Sequence, residues 1–211
     1  MADPPWAFEN YSDKGIAKGA KAKYACMPLE DICALPVSKL AAEDCVLWLW
    51  VTAPLLREGL KVLDAWGFQY KTHGTWSKRT GSGRRRWGTG YLLRSCHETF
   101  LIATLGAPKT ARNIPSEFEG RAREHSRKPE EGYALAECML TMDRTPRLIE
   151  LFSREDRPGW QSWGNETGKF NACPENEEAP STGAPGALTD ASASSAPLFD
   201  MEASRTGQEA A

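Results

Sequence analysis

Seven consecutive apolar residues, Cys45-Val46-Leu47-Trp48-Leu49-Trp50-Val51, form a run of strand length. A run without polar interruption is the pattern of a strand covered on both faces. Thr52-Ala53-Pro54 follows, and then Leu55 to Trp66 places Leu56, Leu60 and Leu63 on one helical face, with Gly67 past the end. Upstream, Pro28 to Leu35 reads as a short helix, with Pro28 suited to its first turn and Pro36 ending it. Phe68 to Lys78 and Glu98 to Leu105 alternate well enough for strands. Between them, Arg79-Thr80-Gly81-Ser82-Gly83-Arg84-Arg85-Arg86 is loop chemistry. Glu130 to Met142 predicts a helix and Arg147 to Phe152 a second buried strand. Helix and strand signals in alternation predict an α/β domain with a mostly parallel sheet and helices on both faces.

Composition narrows the class. In 211 residues, 41% hydrophobic and 26% charged positions suit one medium globular domain with room for a tail. No stretch of eighteen apolar residues predicts a membrane span, and the first residues lack the basic-then-apolar order of a secretory signal. Six scattered cysteines contain no Cys-x-x-Cys pair, so disulfide scaffolds and zinc ribbons lose support and a reduced, cytoplasmic protein is the default. His73, His97 and His125 have no ligand spacing and no metal is assigned; His97 beside Cys96 reads as packing. Beyond residue 170, Ala, Ser, Glu, Pro, Gly and Thr dominate, which predicts a disordered acidic tail over 171–211 behind a folded domain over 1–170.

The net charge of -2 conceals an asymmetry. Lys71 to Lys128 holds 13 Lys and Arg against 4 Glu and no Asp, a net +9, whereas Asn171 to Ala211 carries 7 acidic residues and one Arg. A basic middle points to a polyanionic partner such as nucleic acid, although a solvated face has the same composition.

Asp3-Pro4-Pro5-Trp6 carries the chemistry. Two prolines hold the backbone extended and remove two amide donors, so the Pro4 carbonyl can point outward as an unpaired acceptor beside the Asp3 carboxylate. Trp6 adds a flat apolar plate. Two acceptors and a plate suit an exocyclic amino group on a flat heterocycle. Holding both amino hydrogens frees the nitrogen lone pair for in-line attack. The same four residues also suit a plain turn after a strand.

Further pieces occur in one order along the chain: Tyr24-Ala25-Cys26-Met27, Val46 to Thr52, Trp76-Ser77-Lys78, Arg127 to Glu131, Arg147 to Arg154 and Gly159 to Glu166. Together with Asp3-Pro4-Pro5-Trp6 they cover nearly all of 1–167, and in them the chain resembles the MT-A family of adenine-N6 methyltransferases. The resemblance implies a permuted Rossmann-like fold with the catalytic motif first and the cofactor strand late, at about 147–152. It also implies S-adenosylmethionine as methyl donor. By position, Lys128 matches the family lysine that pairs with the donor's carboxylate. Arg154, Asn165 and Glu166 match ribose and adenine contacts, Glu150 and Leu151 lie at the strand end beside them, and the family aspartate, here Asp3, lies near the donor's amino group. Tyr24 and the stretch Trp76, Lys78, Arg84, Arg85 and Arg86 match two loops bordering the target base, with the arginines suited to phosphates. Family members also carry an apolar strand before the motif and an acidic residue upstream. Here only Met1 and Ala2 precede Asp3, which predicts a truncated first strand and a vacant central slot.

The implied activity is methyl transfer to N6 of adenine in nucleic acid, with DNA preferred to RNA as the target. A catalytically degenerate subunit that binds nucleic acid or a partner, and an RNA adenine methyltransferase, stand as alternatives. Homo- or heterodimeric assembly is left open.

Overall fold

The computed structural model describes residues 1–7, 26–90, 92–124, 126–140 and 146–171. The tail reading over 171–211 therefore lies outside the described residues except for Asn171, as do Tyr24, His125 and the last residues of the helix predicted over 130–142. No helix among the described residues is long and apolar enough to cross a membrane.

The chain runs through α1 (Leu29–Ala34), a 3-10 turn (Val37–Lys39), β1 (Cys45–Val51), a 3-10 turn (Ala53–Leu55) and α2 (Leu56–Ala65). It continues through β2 (Gln69–Arg79), β3 (His97–Leu105), β4 (Glu117–Arg121), α3 (Glu130–Met139), β5 (Leu148–Leu151) and β6 (Trp160–Trp163). The apolar run becomes β1 over the predicted residues. Neither β4 nor β6 was legible, because both are short and carry polar residues on half their positions.

Four strands form a sheet in the order β1-β3-β2-β4, and β5 pairs with β6. The β1/β3 and β2/β3 ladders are antiparallel, and β2/β4 and β5/β6 are parallel. The expectation of a mostly parallel sheet is corrected for the larger sheet. The connection from β2 to β3 is a hairpin excursion rather than a helical crossover, so β3 returns reversed and makes both of its ladders antiparallel. A buried apolar run identifies a covered strand but not its neighbour's direction.

The N-terminal residues join the two sheets. Ala2 bridges Leu49 of β1 and Leu151 of β5, parallel to both. Its N–H donates to the Trp48 carbonyl at 2.8 Å and its carbonyl accepts from Trp50 N–H at 2.9 Å. Leu151 N–H donates to the Met1 carbonyl at 2.9 Å, and the Met1 amino group donates to the Ile149 carbonyl at 2.8 Å. The slot expected to be vacant is thus filled at the carboxyl ends of the flanking strands. Behind Met1, a cavity of about 710 Å³ lies between Cys45–Trp48 and Arg147–Ile149.

Alternate residues of β1 serve opposite faces. Leu47, Leu49 and Val51 pack with Ile32 of α1 and with Val62, Leu63 and Trp66 from α2 and its end. Trp48 and Trp50 pack with Phe100, Ile102, Trp76 and Ala136 of α3. Helices therefore cover both faces. Each fully buried aliphatic side chain stabilises this sandwich by about 1.5–3 kcal/mol. The Trp48 and Phe100 rings stack at 3.8 Å. In α2 the buried stripe is Gly59, Val62 and Leu63, whereas Leu56 and Leu60 are exposed. That corrects the predicted face. Gly59 lets α2 approach β1 so closely that an added Cβ would meet Val51 at 3.0 Å, which rotates the helix toward its glycine side.

Candidate active site

At Asp3 the N-terminal strand ends because Pro4 and Pro5 have no N–H to continue a ladder. Asp3 N–H makes the last contact, to the Leu151 carbonyl at 3.4 Å. This leaves the Asp3 carboxylate at the carboxyl ends of β1 and β5, where ligands of open α/β sheets bind.

Its nearest partner is Lys128, whose Nζ lies 2.8 Å from Asp3 Oδ2 and 2.6 Å from Glu98 Oε1. The other Glu98 oxygen pairs with Lys78 Nζ at 2.6 Å. Asp3, Lys128, Glu98 and Lys78 thus form a chain of alternating sign and zero net charge. Aromatic rings form its floor: Lys128 Nζ is 5.1 Å from the Trp50 ring and Lys78 Nζ is 4.7 Å from the Trp76 ring. Both are cation–π distances.

These surroundings set the protonation states. Burial would raise the Glu98 carboxyl, but Lys128 and Lys78 outweigh it and hold the group down to about 2. Burial opposes the Lys128 ammonium, and Asp3 and Glu98 together hold it above the ordinary lysine range. For Asp3, burial pushes the carboxyl up and Lys128 works against that push.

The backbone of Lys128 is fixed from outside. The Arg123 guanidinium donates to its carbonyl, and Pro129 starts α3 immediately after it. Arg123 also pairs with Glu130 at 2.8 Å, and Arg127 pairs with Glu155 at 2.5 Å. Much of the basic middle is therefore neutralised within the protein. Lys78, Arg79, Arg123, Arg127 and Lys128 all have carboxylate partners, so the +9 segment is not one continuous patch.

On the other side of Asp3, Glu150 is buried on β5. One of its oxygens accepts from the Tyr133 hydroxyl at 2.6 Å and the other from Ser153 Oγ at 3.1 Å. Burial pushes its carboxyl up. Phe152 follows in the left-handed region at φ 64, costly for a bulky residue and characteristic of functional sites. Arg154 Nε pairs with Glu166 Oε2 at 3.0 Å, Asn165 is exposed beside it, and Leu151 is buried in the strand. Asp3, Lys128, Glu150 and Arg154 together line one cavity of about 20 Å³ with Tyr133, Phe152 and Phe170.

Several sequence expectations need correction. The Pro4 carbonyl is not an unpaired acceptor, because it accepts from Trp6 N–H at 2.8 Å and keeps one lone pair. Trp6 is not an open plate. It is buried in the core, with Nε1 donating to the Trp50 carbonyl at 3.0 Å. Trp76 is likewise buried, donates to the Gly120 carbonyl at 2.9 Å and supports Lys78 from below. His97 is exposed rather than packed. Arg84, Arg85 and Arg86 are exposed on the β2–β3 excursion, apart from the charge chain. Pro5 lies in the turn, where its carbonyl accepts from Met27 N–H at 2.9 Å. Sequence reasoning missed Glu98, Tyr133, Phe152, Phe170 and Arg123. A lone Glu opening an apolar strand was the one readable hint among them.

A family model described as MT-A70 matches residues 1–166. The chain is 30% identical over 184 residues to the type II methyltransferase M.MunI of Mycoplasma sp, covering 78% of this chain and 75% of that protein. It is 32% identical over 171 residues to an N(6)-adenosine-methyltransferase MT-A70-like protein of Arabidopsis thaliana, covering 79% of this chain and 23% of the relative. To the human N(6)-adenine-specific methyltransferase METTL4 it is 29% identical over 188 residues, covering 81% of this chain and 37% of that one. The chain thus spans three quarters of the first of these relatives and well under half of the other two. With the aspartate-proline-proline-tryptophan motif at the carboxyl ends of β1 and β5 and a family match across the described fold, the chain belongs to the MT-A70 family of methyltransferases.

Proposed function

We propose that this chain transfers a methyl group from S-adenosylmethionine to N6 of adenine, with DNA as its substrate. One observation carries the reading: the Asp3 carboxylate stands at the strand ends, anchored by a lysine that is itself held by Glu98. Asp3 accepts hydrogens of the adenine amino group, and the remaining lone pair of the Pro4 carbonyl is the second acceptor. Binding both hydrogens lets the nitrogen lone pair leave the ring's conjugation.

The donor set suits S-adenosylmethionine, which supplies the electrophilic methyl group. Asp3 and Lys128 match the ammonium and carboxylate of an amino acid. Arg154, Asn165 and Glu166 match ribose hydroxyls and an adenine edge, with Leu151 and Glu150 at the strand end. Both Glu150 oxygens already accept protein hydroxyls, so its part is to hold Tyr133 and Ser153 in place. Asp3, Lys128 and Arg154 line a cavity of only about 20 Å³ and are already paired within the protein, so ligand charges would replace internal ones on binding. This arrangement fits a permuted Rossmann-like domain over 1–170 followed by an acidic tail, because the first and late segments, Met1–Asp3 and β5, are sheet neighbours.

The DNA preference rests on the larger share covered of the type II methyltransferase than of the adenosine enzymes. The small volume of this cavity favours a second reading, a degenerate subunit that binds nucleic acid without catalysis. Transfer of labelled methyl groups to DNA and RNA separates the two. Wild type should label DNA, and Asp3→Asn should lose about a hundred- to a thousand-fold in rate while keeping nucleic-acid affinity. A wild type that binds nucleic acid but labels neither polymer establishes the degenerate subunit instead.

A further inference from the structure

Between β2 and β3 the chain leaves the sheet for an excursion, described over residues 80–90 and 92–96, that the site described above does not use. It has its own framework. Thr80 N–H donates to the Arg84 carbonyl at 2.7 Å, Arg86 N–H to Lys78 at 2.9 Å and Lys78 N–H to Cys96 at 3.0 Å. Farther out, Gly88 N–H donates to the Ser95 carbonyl at 2.6 Å and Ser95 N–H to Thr89 at 3.0 Å. Trp87 stands half exposed between two guanidinium groups, Arg85 at 5.8 Å and Arg94 at 5.5 Å from its ring. At the tip, the Leu93 carbonyl approaches Gly90 so closely that an added Cβ would lie 1.9 Å from it. Only glycine permits that turn.

The turn presents two adjacent leucines to water, Leu92 at 99% and Leu93 at 85% exposure. Single exposed leucines are ordinary, but an adjacent pair at the apex of a glycine-built tip is not. The surroundings indicate the partner. Arg79, Arg84, Arg85, Arg86 and Arg94 lie within the segment 71–97, which has no Asp or Glu. Arg84, Arg86 and Arg94 have no carboxylate partner among the described residues, and Arg85 shares only the field of Glu119, which is paired with Arg79. A second copy docking on this face would oppose arginines with arginines, whereas a polyanion would be complementary.

We propose that the described parts of this excursion form a wedge for double-stranded DNA: the arginines grip phosphates while Leu92 and Leu93 enter the base stack beside the target adenine. The inference rests on the DNA reading above and adds that the substrate is a duplex which the enzyme itself opens. Apolar side chains inserted between base steps unstack and kink a duplex, and a base must leave the stack before chemistry can reach it. The reach is suitable. Five chain steps lead from Leu93 to Glu98, so the tip stands no more than about 18 Å from the charge chain, on the order of five base steps.

Closed-circular plasmid DNA and the same DNA heat-denatured are the probes, with Leu92→Ser/Leu93→Ser as the variant. Both side chains lie in solvent, so folding should be unaffected, and Leu92→Met/Leu93→Met should behave as wild type. The serine variant should methylate native plasmid about tenfold more slowly and denatured DNA within about twofold of wild type. Its salt dependence of binding should be unchanged. In the presence of a topoisomerase, wild type should unwind relaxed plasmid and the serine variant should not. Equal loss on native and denatured DNA, or no unwinding by wild type, overturns the wedge. So does a change from dimer to monomer with an unchanged native-to-denatured ratio, which makes the tip a contact between copies. Unwinding by a wild type that methylates neither DNA leaves the wedge standing and removes the methyltransferase reading; methylation without unwinding does the reverse.

Discussion

The charge chain beneath Asp3 and the arginines of the 80–96 excursion come from one basic stretch of sequence, yet they are opposite electrostatic objects. Lys78 and Lys128 lie over tryptophan rings with carboxylates 2.6–2.8 Å away, and their positive charge is spent inside the protein. Arg84, Arg85 and Arg86 stand in water. Burial makes the difference. A buried charge must be paired, so its loss is felt as stability and geometry, whereas an exposed unpaired charge contributes little to folding and remains available to a partner. Counting positive residues along a sequence cannot separate these two populations.

The largest expected effect is at the floor of the buried region. Trp6→Ala removes a core ring together with its bond to the Trp50 carbonyl, and should cost about 3–5 kcal/mol in chemical denaturation. A change confined to the Michaelis constant, with stability intact, would restore Trp6 as a stacking plate. Next is Lys128→Met, which leaves Asp3 and Glu98 without the cation between them, although Glu98 keeps Lys78. It should destabilise the fold by about 3 kcal/mol, and adding Glu98→Gln should recover part of the loss. Full additivity of the two substitutions would show that the chain is not coupled.

Smaller effects are expected from the exposed side of the comparison. Replacing Arg84, Arg85 and Arg86 with Ala should leave stability within about 0.5 kcal/mol. It should flatten the salt dependence of DNA binding by roughly one unit of log–log slope per lost phosphate contact. An unchanged slope would return these arginines to a solvated face. Acid tests the buried side of the comparison again. Glu98 titrates at about 2 when folded against an ordinary 4.5, so the stability it confers is complete above 4.5 and is lost as pH falls toward 2. Denaturation followed from pH 6 to pH 3 should show this decline, and Glu98→Gln should flatten it.

Much of the scaffold was legible because it follows from local pattern. The β1 run, Gly67 after α2 and Pro28 before α1 mark their elements with residues that have few other uses. The motif Asp3-Pro4-Pro5-Trp6 was legible as chemistry because two prolines cannot continue a ladder, so a strand must stop and leave a carboxylate at its end. The roles within it were less legible. Trp6 and Trp76 look alike in sequence whether they stack on a base or fill a core. Glu98 showed no sign that two lysines, one 20 residues before it and one 30 after, would meet on its carboxylate.

The sequence by itself therefore determined the elements, the covered strand, the family motif and the position of Asp3, because each depends on a few neighbouring residues and on backbone stereochemistry. Only the tertiary structure decided the reversal of β3, the burial of Trp6, the pairing of Lys128 with both Asp3 and Glu98, and which positive charges stayed free. Those outcomes depend on which distant segments share the same low-dielectric space, and residue spacing along the chain carries no record of that.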